Sequence, residues 1–150
     1  MSDGQEGPDQ GTEPNTDTLL EATTALIPPL LTALDALAYV GRHLHPPALT
    51  ELVPGIEQFR EPVAAGLETF RSVDWPEHLS QFVSHTARAG SEALKAFEGL
   101  ENCVTQSNPV MGAYRAMSFN TRSVEALYPV SSMLPPVSRF YLSDNYRGDE

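Results

Sequence analysis

The longest continuous helical pattern in the chain is residues 74–104, DWPEHLSQFVSHTARAGSEALKAFEGLENCV. Asp74 can accept a hydrogen bond at a helix start, Pro76 suits the first turn, and Glu77 follows Asp74 by three residues. Apolar or small residues then recur every three or four positions, at Trp75, Leu79, Phe82, Val83, Thr86, Gly90, Ala93, Leu94, Phe97, Leu100 and Val104. This spacing predicts one long helix with a single buried face.

Small residues interrupt the larger apolar ones near the middle of this predicted helix. Thr86, Gly90 and Ala93 share the buried face, so we expect the backbone of a neighbouring helix to approach closely there. The carboxyl end of the same helix carries Cys103, the only cysteine in the chain. The helix dipole raises the pKa of a thiol at that end, so we expect an inert, buried or half-buried side chain.

Helical patterns also precede this stretch. Residues 17–27 and 30–45 each form a short apolar face, and we expect Pro28–Pro29 to break or kink the chain between them, because proline lacks an amide hydrogen. Pro46–Pro47 then opens a region of two short helices with a bend, which extends to Val73.

A second long helix is predicted after the central one. Ser107, Asn108 and Pro109 give a cap followed by a first-turn proline, and Pro129 is expected to end the helix. Its predicted apolar face consists of Val110, Ala113, Tyr114, Met117, Thr121, Val124 and Tyr128. A last short helix is predicted over residues 135–142.

These patterns predict an all-α protein, because no run of four to eight residues alternates between apolar and polar. We expect an antiparallel bundle of four to six helices, several of them interrupted by proline. The predicted organisation is a disordered acidic tail over residues 1–17, a bundle domain over 18–142 and a flexible acidic tail over 143–150.

The charge of the chain restricts its partners. The 150 residues carry a net charge of −11, and residues 1–17 contain five acids without a lysine or arginine. The nine basic residues are spread along the chain without a cluster, so nucleic acid is not an expected partner. One cysteine allows no intrachain disulfide and fits a reducing compartment.

Neither a secretory signal nor a membrane span is expected. The amino terminus lacks a basic region followed by an apolar run. The most apolar segment, Leu19–Val40, is interrupted by charged residues, threonines and a proline pair. We therefore expect a cytoplasmic protein.

No catalytic or metal-binding motif is present. His78 and His85 are seven residues apart, roughly 10 Å along a helix, which is too far for one metal ion. His43 is expected to interact with the carboxyl end of a helix, where the dipole favours a cation. We therefore expect no metal and no cofactor, although folding could still gather His43, His45, His78 and His85 around a pocket. The weak catalytic candidates are His78 as acid or base, with Asp74 or Glu77 adjusting its pKa.

The face opposite the predicted apolar stripe of the second long helix has an unusual composition. It carries Met111, Arg115, Ser118, Phe119, Arg122 and Ala126, and Met, Phe and Arg are enriched at protein contacts. Near the carboxyl terminus, Arg139, Phe140 and Tyr141 form a second apolar and basic cluster, which could cover that face or bind a partner.

Three functions remain open from the sequence. The favoured hypothesis is a non-catalytic accessory or assembly subunit that binds a protein partner or itself through Met111, Arg115, Phe119, Arg122, Arg139, Phe140 and Tyr141. The second is a bundle that binds a small ligand, or is an enzyme, in a pocket lined by Tyr39, Trp75, His78, Phe82 and Tyr114. The third is a coat or association protein on hydrophobic granules.

Overall fold

The structure, a computed structural model, describes residues 16–133. This part of the chain forms five α-helices and contains no β-strand, which confirms the predicted all-α helical bundle. The helices are α1 Thr16–Gly41, α2 Pro46–Ile56, α3 Arg60–Arg71, α4 Ser80–Cys103 and α5 Pro109–Leu127. Short 3₁₀ turns cover Glu57–Phe59, Glu77–Leu79 and Tyr128–Met133. The predicted helix over 135–142 and most of both predicted tails lie outside the described residues.

The apolar core lies around α1, which contacts each of the other four α-helices. Its buried side chains come from every α-helix and are fully enclosed at Leu26, Leu30, Leu34, Leu37, Leu49, Val63, Phe70, Phe97, Leu100 and Leu127. Burial of this apolar surface is the main term that stabilises the bundle.

The sequence predicts a break or a kink at Pro28–Pro29. Helix α1 continues through both prolines, so the chain does not break there. The apolar stripe stays in phase across the pair, since Leu26 and Leu30 are four residues apart and both are fully buried. Packing of that continuous stripe offsets the loss of two amide donors. The missing amide of Pro29 leaves the carbonyl of Ala25 without its usual helical partner.

Helix α3 packs against α1 at that carbonyl through Gly66. A Cβ atom at Gly66 would lie 2.9 Å from the backbone carbon of Ala25 and 3.0 Å from Cα of Leu26. Real Cβ atoms do not approach backbone so closely, so only glycine allows this crossing. The close backbone approach that the sequence predicted at Gly90 occurs here instead, because a Cβ at Gly90 would meet the side chains of Leu67 and Leu26.

The central helix α4 begins at Ser80, six residues after its predicted start at Asp74. Asp74 does not cap it, and Pro76 has an extended backbone with ψ 148°. Trp75 instead packs its ring 4.7 Å from Phe70, and its indole N–H donates to the carbonyl of Phe70 at 2.8 Å. This apolar contact and hydrogen bond hold the segment against the end of α3, so it does not continue α4.

Helices α4 and α5 form an antiparallel hairpin. The side chain of Asn108 accepts a hydrogen bond from the amide of Met111 at 3.2 Å, and Pro109 occupies the first turn, so the predicted start of α5 is confirmed. Near the other end, the hydroxyl of Ser123 donates to the carbonyl of Ala89 at 2.7 Å. The small residue Gly99 lets α5 approach α4 within this hairpin.

The buried face of α5 differs from the predicted stripe. Tyr114 is 66% exposed and Tyr128 is also exposed, whereas the buried positions include small residues such as Ala113, Ala116 and Ser123. The two helices of the hairpin lie too close for a tyrosine between them, and so alanine, glycine and serine occupy the contact.

Helix α1 is long and apolar enough to cross a membrane by length and composition alone. The core helix of a bundle passes the same test, and the buried side chains of α1 pack against the other helices. Length and hydropathy therefore do not assign a membrane role to α1.

Candidate partner-binding surface

The outer side of the α4–α5 hairpin carries an aromatic ring between two cations. Phe119 is half-buried on α5 and packs against the core. The ammonium nitrogen of Lys95 lies 5.9 Å from the centre of its ring, and the guanidinium carbon of Arg122 lies 5.0 Å from it. Both distances are within the range of a cation–π contact, so Phe119 joins cations from two helices.

Two further arginines extend this surface along the same helices. Arg115 precedes Phe119 by four residues on α5, and Arg88 precedes Lys95 by seven on α4. Residues at these spacings lie on one face of a helix. We refer to Arg88, Lys95, Arg115 and Arg122, with Phe119 between them, as the cationic strip.

The four cations of this strip are exposed and, within residues 16–133, have no acidic partner. Within residues 16–133, none of them forms an ion pair with a carboxylate, whereas Arg60 pairs with Glu101 at 2.7 Å. The exposed carboxylates of Glu98 and Glu125 lie three residues from Lys95 and Arg122. These carboxylates flank the strip without neutralising it.

Two basic residues that are far apart in the sequence meet on this surface, because Lys95 and Arg122 both contact the ring of Phe119. Four of the seven lysines and arginines in residues 16–133 belong to the strip. The strip residues span 35 positions of the sequence, and the pairing of α4 with α5 brings Lys95 to the ring of Phe119. The net charge of −11 still opposes binding to a phosphate backbone.

The predicted partner-binding residues fall into two groups. Met111 is 45% exposed, Arg115 and Arg122 are exposed, and Phe119 is half-buried beside the latter. The other three predicted residues, Arg139, Phe140 and Tyr141, lie outside the described residues. The sequence missed Arg88 and Lys95, although their seven-residue spacing places them on one face of α4.

Three polar side chains of α4 and α5 each carry a buried oxygen that has no hydrogen-bond partner within residues 16–133. Glu92 is only 8% exposed, and one of its carboxylate oxygens accepts no hydrogen bond within residues 16–133. The hydroxyl of Thr86, fully buried on α4, and the side-chain oxygen of Asn120 on α5 also lack partners within the described part of the chain. Burying such groups without partners opposes folding.

The weak catalytic candidates lie outside any enclosed site. Asp74, Glu77 and His78 are exposed, the last two in the 3₁₀ turn before α4. The other residues that were predicted to line a pocket fall into two pairs. Tyr39 and Tyr114 are exposed, by 47% and 66% of their surface. The other two members, Trp75 and Phe82, pack on each other and on Phe70 at ring distances of 4.7 to 6.1 Å. This arrangement gives no support to a ligand pocket.

The ring of His43 interacts with the carboxyl end of α1, as predicted. Its Nδ1 donates to the carbonyl of Tyr39 at 2.8 Å, and the two rings lie 4.5 Å apart. His45 is exposed at the start of α2, where its side chain makes no capping hydrogen bond. Within residues 16–133, no three His, Cys, Asp or Glu side chains are grouped so as to hold a metal ion.

Two ionisable groups elsewhere have shifted pKa values. The side-chain hydrogen bond with Glu101 and the negative charge of that carboxylate raise the pKa of Glu57, and the nearby Arg60 opposes the shift. Burial raises the pKa of the Cys103 thiol, which is fully enclosed at the end of α4. A thiol in this state is a poor nucleophile, in agreement with the inert role expected for it.

The fold thus defines the chain as an all-α helical bundle with a cationic outer strip. No known protein family, no curated protein and no solved structure matches the chain.

Proposed function

We propose that this chain is a non-catalytic helical accessory or assembly protein, which binds a protein partner or a second copy of itself through the outer side of the α4–α5 hairpin. The observation that carries this proposal is Phe119, which lies between Lys95 and Arg122 on a surface whose cations have no carboxylate partner within residues 16–133. Arginine and aromatic side chains at the centre of a contact commonly supply most of its binding energy.

The mechanism of binding follows from the position of each side chain. Phe119 is held by the core and by two cations, so little side-chain entropy is lost when a partner covers it. Arg115 and Arg122 can each form two parallel hydrogen bonds with a partner carboxylate. The exposed Met111, two turns before Ser118 on α5, extends the apolar contact and adapts to the shape of the partner.

A binding experiment on the full chain tests this function. The tagged chain and the double variant Arg115→Ala, Arg122→Ala are compared by pull-down from the native lysate and by size exclusion with light scattering. Both arginines are exposed, so the fold should survive their removal. Truncating two central arginines is expected to cost at least about 2 kcal/mol, or roughly thirtyfold in affinity.

A matched control is Arg71→Ala, which removes an exposed arginine from the last turn of α3. It should keep the partner or the oligomer that the unaltered chain shows. The proposal fails when the unaltered chain is a strict monomer without a specific partner, or when the control and the double variant lose binding equally.

A further inference from the structure

One face of α5 carries a row of exposed side chains along the outer side of the hairpin. The row consists of Met111, Arg115, Ser118 and Arg122, all of which are exposed. Their spacing of four, three and four residues places them within about 60° of one another around the helix and over about 16 Å of its length. We refer to these four residues as the α5 row.

This spacing is the pattern by which one helix packs along another. In coiled coils and helical bundles, facing side chains meet at intervals of three or four residues. Ser118 is small, and its hydroxyl donates to the carbonyl of Arg115 at 2.6 Å within α5. A side chain of a partner can therefore enter between the two arginines of the row. The α5 row thus suits a further helix that lies along the hairpin.

The charges at the row select the chemistry of that helix. Arg115 and Arg122 have no carboxylate partner in the described part of the chain. Lys95 of α4 adds a third cation beside the row, because its ammonium nitrogen lies 5.9 Å from the ring centre of Phe119, which Arg122 also contacts. Three cations on one surface attract carboxylates and repel bases. The charge of this surface is therefore complementary to an acidic partner.

The amino-terminal end of the row is apolar. Met111 is 45% exposed, and Tyr114, which follows it by three residues on α5, is 66% exposed. Residues at this spacing are neighbours on a helix surface. Large apolar side chains that are exposed beside cations are typical of a contact surface. They favour a large apolar side chain at the matching end of the partner.

We propose that the partner of this surface is an acidic amphipathic helix that lies along the α5 row. Its carboxylates pair with Arg115, Arg122 and Lys95. A large apolar side chain near one of its ends covers Met111 and Tyr114. This inference rests on the proposed function, because it names the kind of partner that binds the same surface.

Two synthetic peptides test this partner with the purified full chain. The matched peptide is rich in alanine and carries one leucine and three glutamates at the four-three-four spacing of the α5 row, and it is made in both sequence directions. The control peptide has the same composition, but its glutamates are two residues apart, so that successive carboxylates lie on different sides of the helix. Circular dichroism checks that both peptides are helical.

Fluorescence anisotropy of the labelled peptides measures their affinity for the chain at low ionic strength. We expect the matched peptide, in one of its two directions, to bind roughly tenfold more tightly than the control peptide. Each exposed ion pair is weak, so only carboxylates that meet several cations together give this difference.

Variants of the chain assign the contact to the α5 row. Arg115→Gln with Arg122→Gln removes two charges at exposed positions, and it should lower the affinity for the matched peptide to that for the control peptide. Tyr114→Ala removes exposed apolar surface and should weaken binding of the matched peptide roughly threefold. Arg71→Gln, which removes an exposed arginine from α3, should change neither affinity.

The inference is overturned when the two peptides bind equally, when neither binds, or when Arg71→Gln weakens binding as much as the double variant does. Equal binding by a matched peptide with a proline at its centre would exclude a helical partner. A single-stranded oligonucleotide of the same charge that binds more tightly would assign the surface to phosphate groups.

The pull-down and the light scattering decide the proposed function separately from these peptides. A chain that binds a partner through Arg115 and Arg122 but does not distinguish the two peptides keeps the proposed function and loses the acidic helix. A chain that selects the matched peptide but shows neither a partner nor an oligomer gives the opposite result.

Discussion

The α1–α3 crossing and the α4–α5 hairpin each bring two helices into close contact, but through different groups. At the crossing, Gly66 brings backbone against backbone, and the surrounding side chains are apolar. In the hairpin, the Cα of Gly99 meets the side chain of Ala116, and Ser123 places a hydrogen-bonded hydroxyl inside the contact.

This difference concerns the role of each contact. The crossing stabilises the fold, whereas the hairpin also carries a charged outer surface. The crossing is closed by the shape of the two backbones, and the carbonyl of Ala25 there lacks its usual helical partner. The hairpin carries buried polar atoms on its inner side and the cationic strip on its outer side, an arrangement that a purely structural contact does not require. The crossing thus fixes how α1 and α3 pack, while the hairpin carries the surface that we propose for partner binding.

The largest expected effect is at the crossing. The change Gly66→Ala would place a Cβ 2.9 Å from the backbone carbon of Ala25, so α1 and α3 must separate. We expect a loss of about 3 kcal/mol in the free energy of unfolding, measured by urea denaturation. The control Gly55→Ala has no atom within 4 Å of the new Cβ, and it should be neutral or gain up to about 1 kcal/mol. Equal losses in both variants would contradict the close approach.

The next effect is inside the hairpin. The change Ser123→Ala removes the 2.7 Å hydrogen bond from its hydroxyl to the carbonyl of Ala89, which joins the two helices. We expect a loss of about 1 kcal/mol in the free energy of unfolding, measured by thermal and urea denaturation. Ser118→Ala is the control, because that exposed hydroxyl bonds only to Arg115 within its own helix. A control loss as large as that of Ser123→Ala would show that the contact between helices contributes nothing.

A change of opposite sign is expected at Thr86. Its hydroxyl is fully buried and has no hydrogen-bond partner within residues 16–133, and valine has nearly the same shape. Thr86→Val should therefore raise the free energy of unfolding by about 1 kcal/mol, measured by urea denaturation. A loss of stability would contradict this prediction, because it would mean that the hydroxyl is hydrogen-bonded in the folded chain.

The smallest effect is a pH dependence where the 3₁₀ turn after α2 meets α4. Because the pKa of Glu57 is raised by the neighbouring Glu101, its protonated form stabilises the fold at acid pH, and this contribution is lost as the pH rises through the folded-state pKa. Glu57→Gln keeps a neutral side chain at every pH, so its advantage over the unaltered chain should appear near neutral pH and vanish in acid. Urea denaturation at both pH values measures it, and the exposed Glu51→Gln is the control. An advantage of Glu57→Gln that persists in acid would contradict the raised pKa.

Helix content and the start of α5 follow from local sequence. The three-four spacing of apolar residues defines each helix, and Asn108 with Pro109 sets the start of α5 through one capping bond and one fixed backbone angle. The same local signals did not break the helix at Pro28 and did not start one at Asp74. In both places a buried contact of higher energy overrides the local preference, the leucine stripe at the first and the Trp75 cluster at the second.

The sequence identified only the α5 residues of the candidate surface. Met111, Arg115, Phe119 and Arg122 share one face of α5 by spacing, so the sequence identified them. Lys95 and Arg88 joined them only because the hairpin aligns α4 with α5, and that alignment depends on Gly99 and Ala116 meeting across the helices.

The sequence by itself thus determined that the described chain is all-α and where α5 begins, because both depend on residues within a few positions of one another. Only the tertiary structure decided where backbones touch and which cations become neighbours. Those outcomes depend on the register between helices far apart in the chain, which close packing of particular side chains selects.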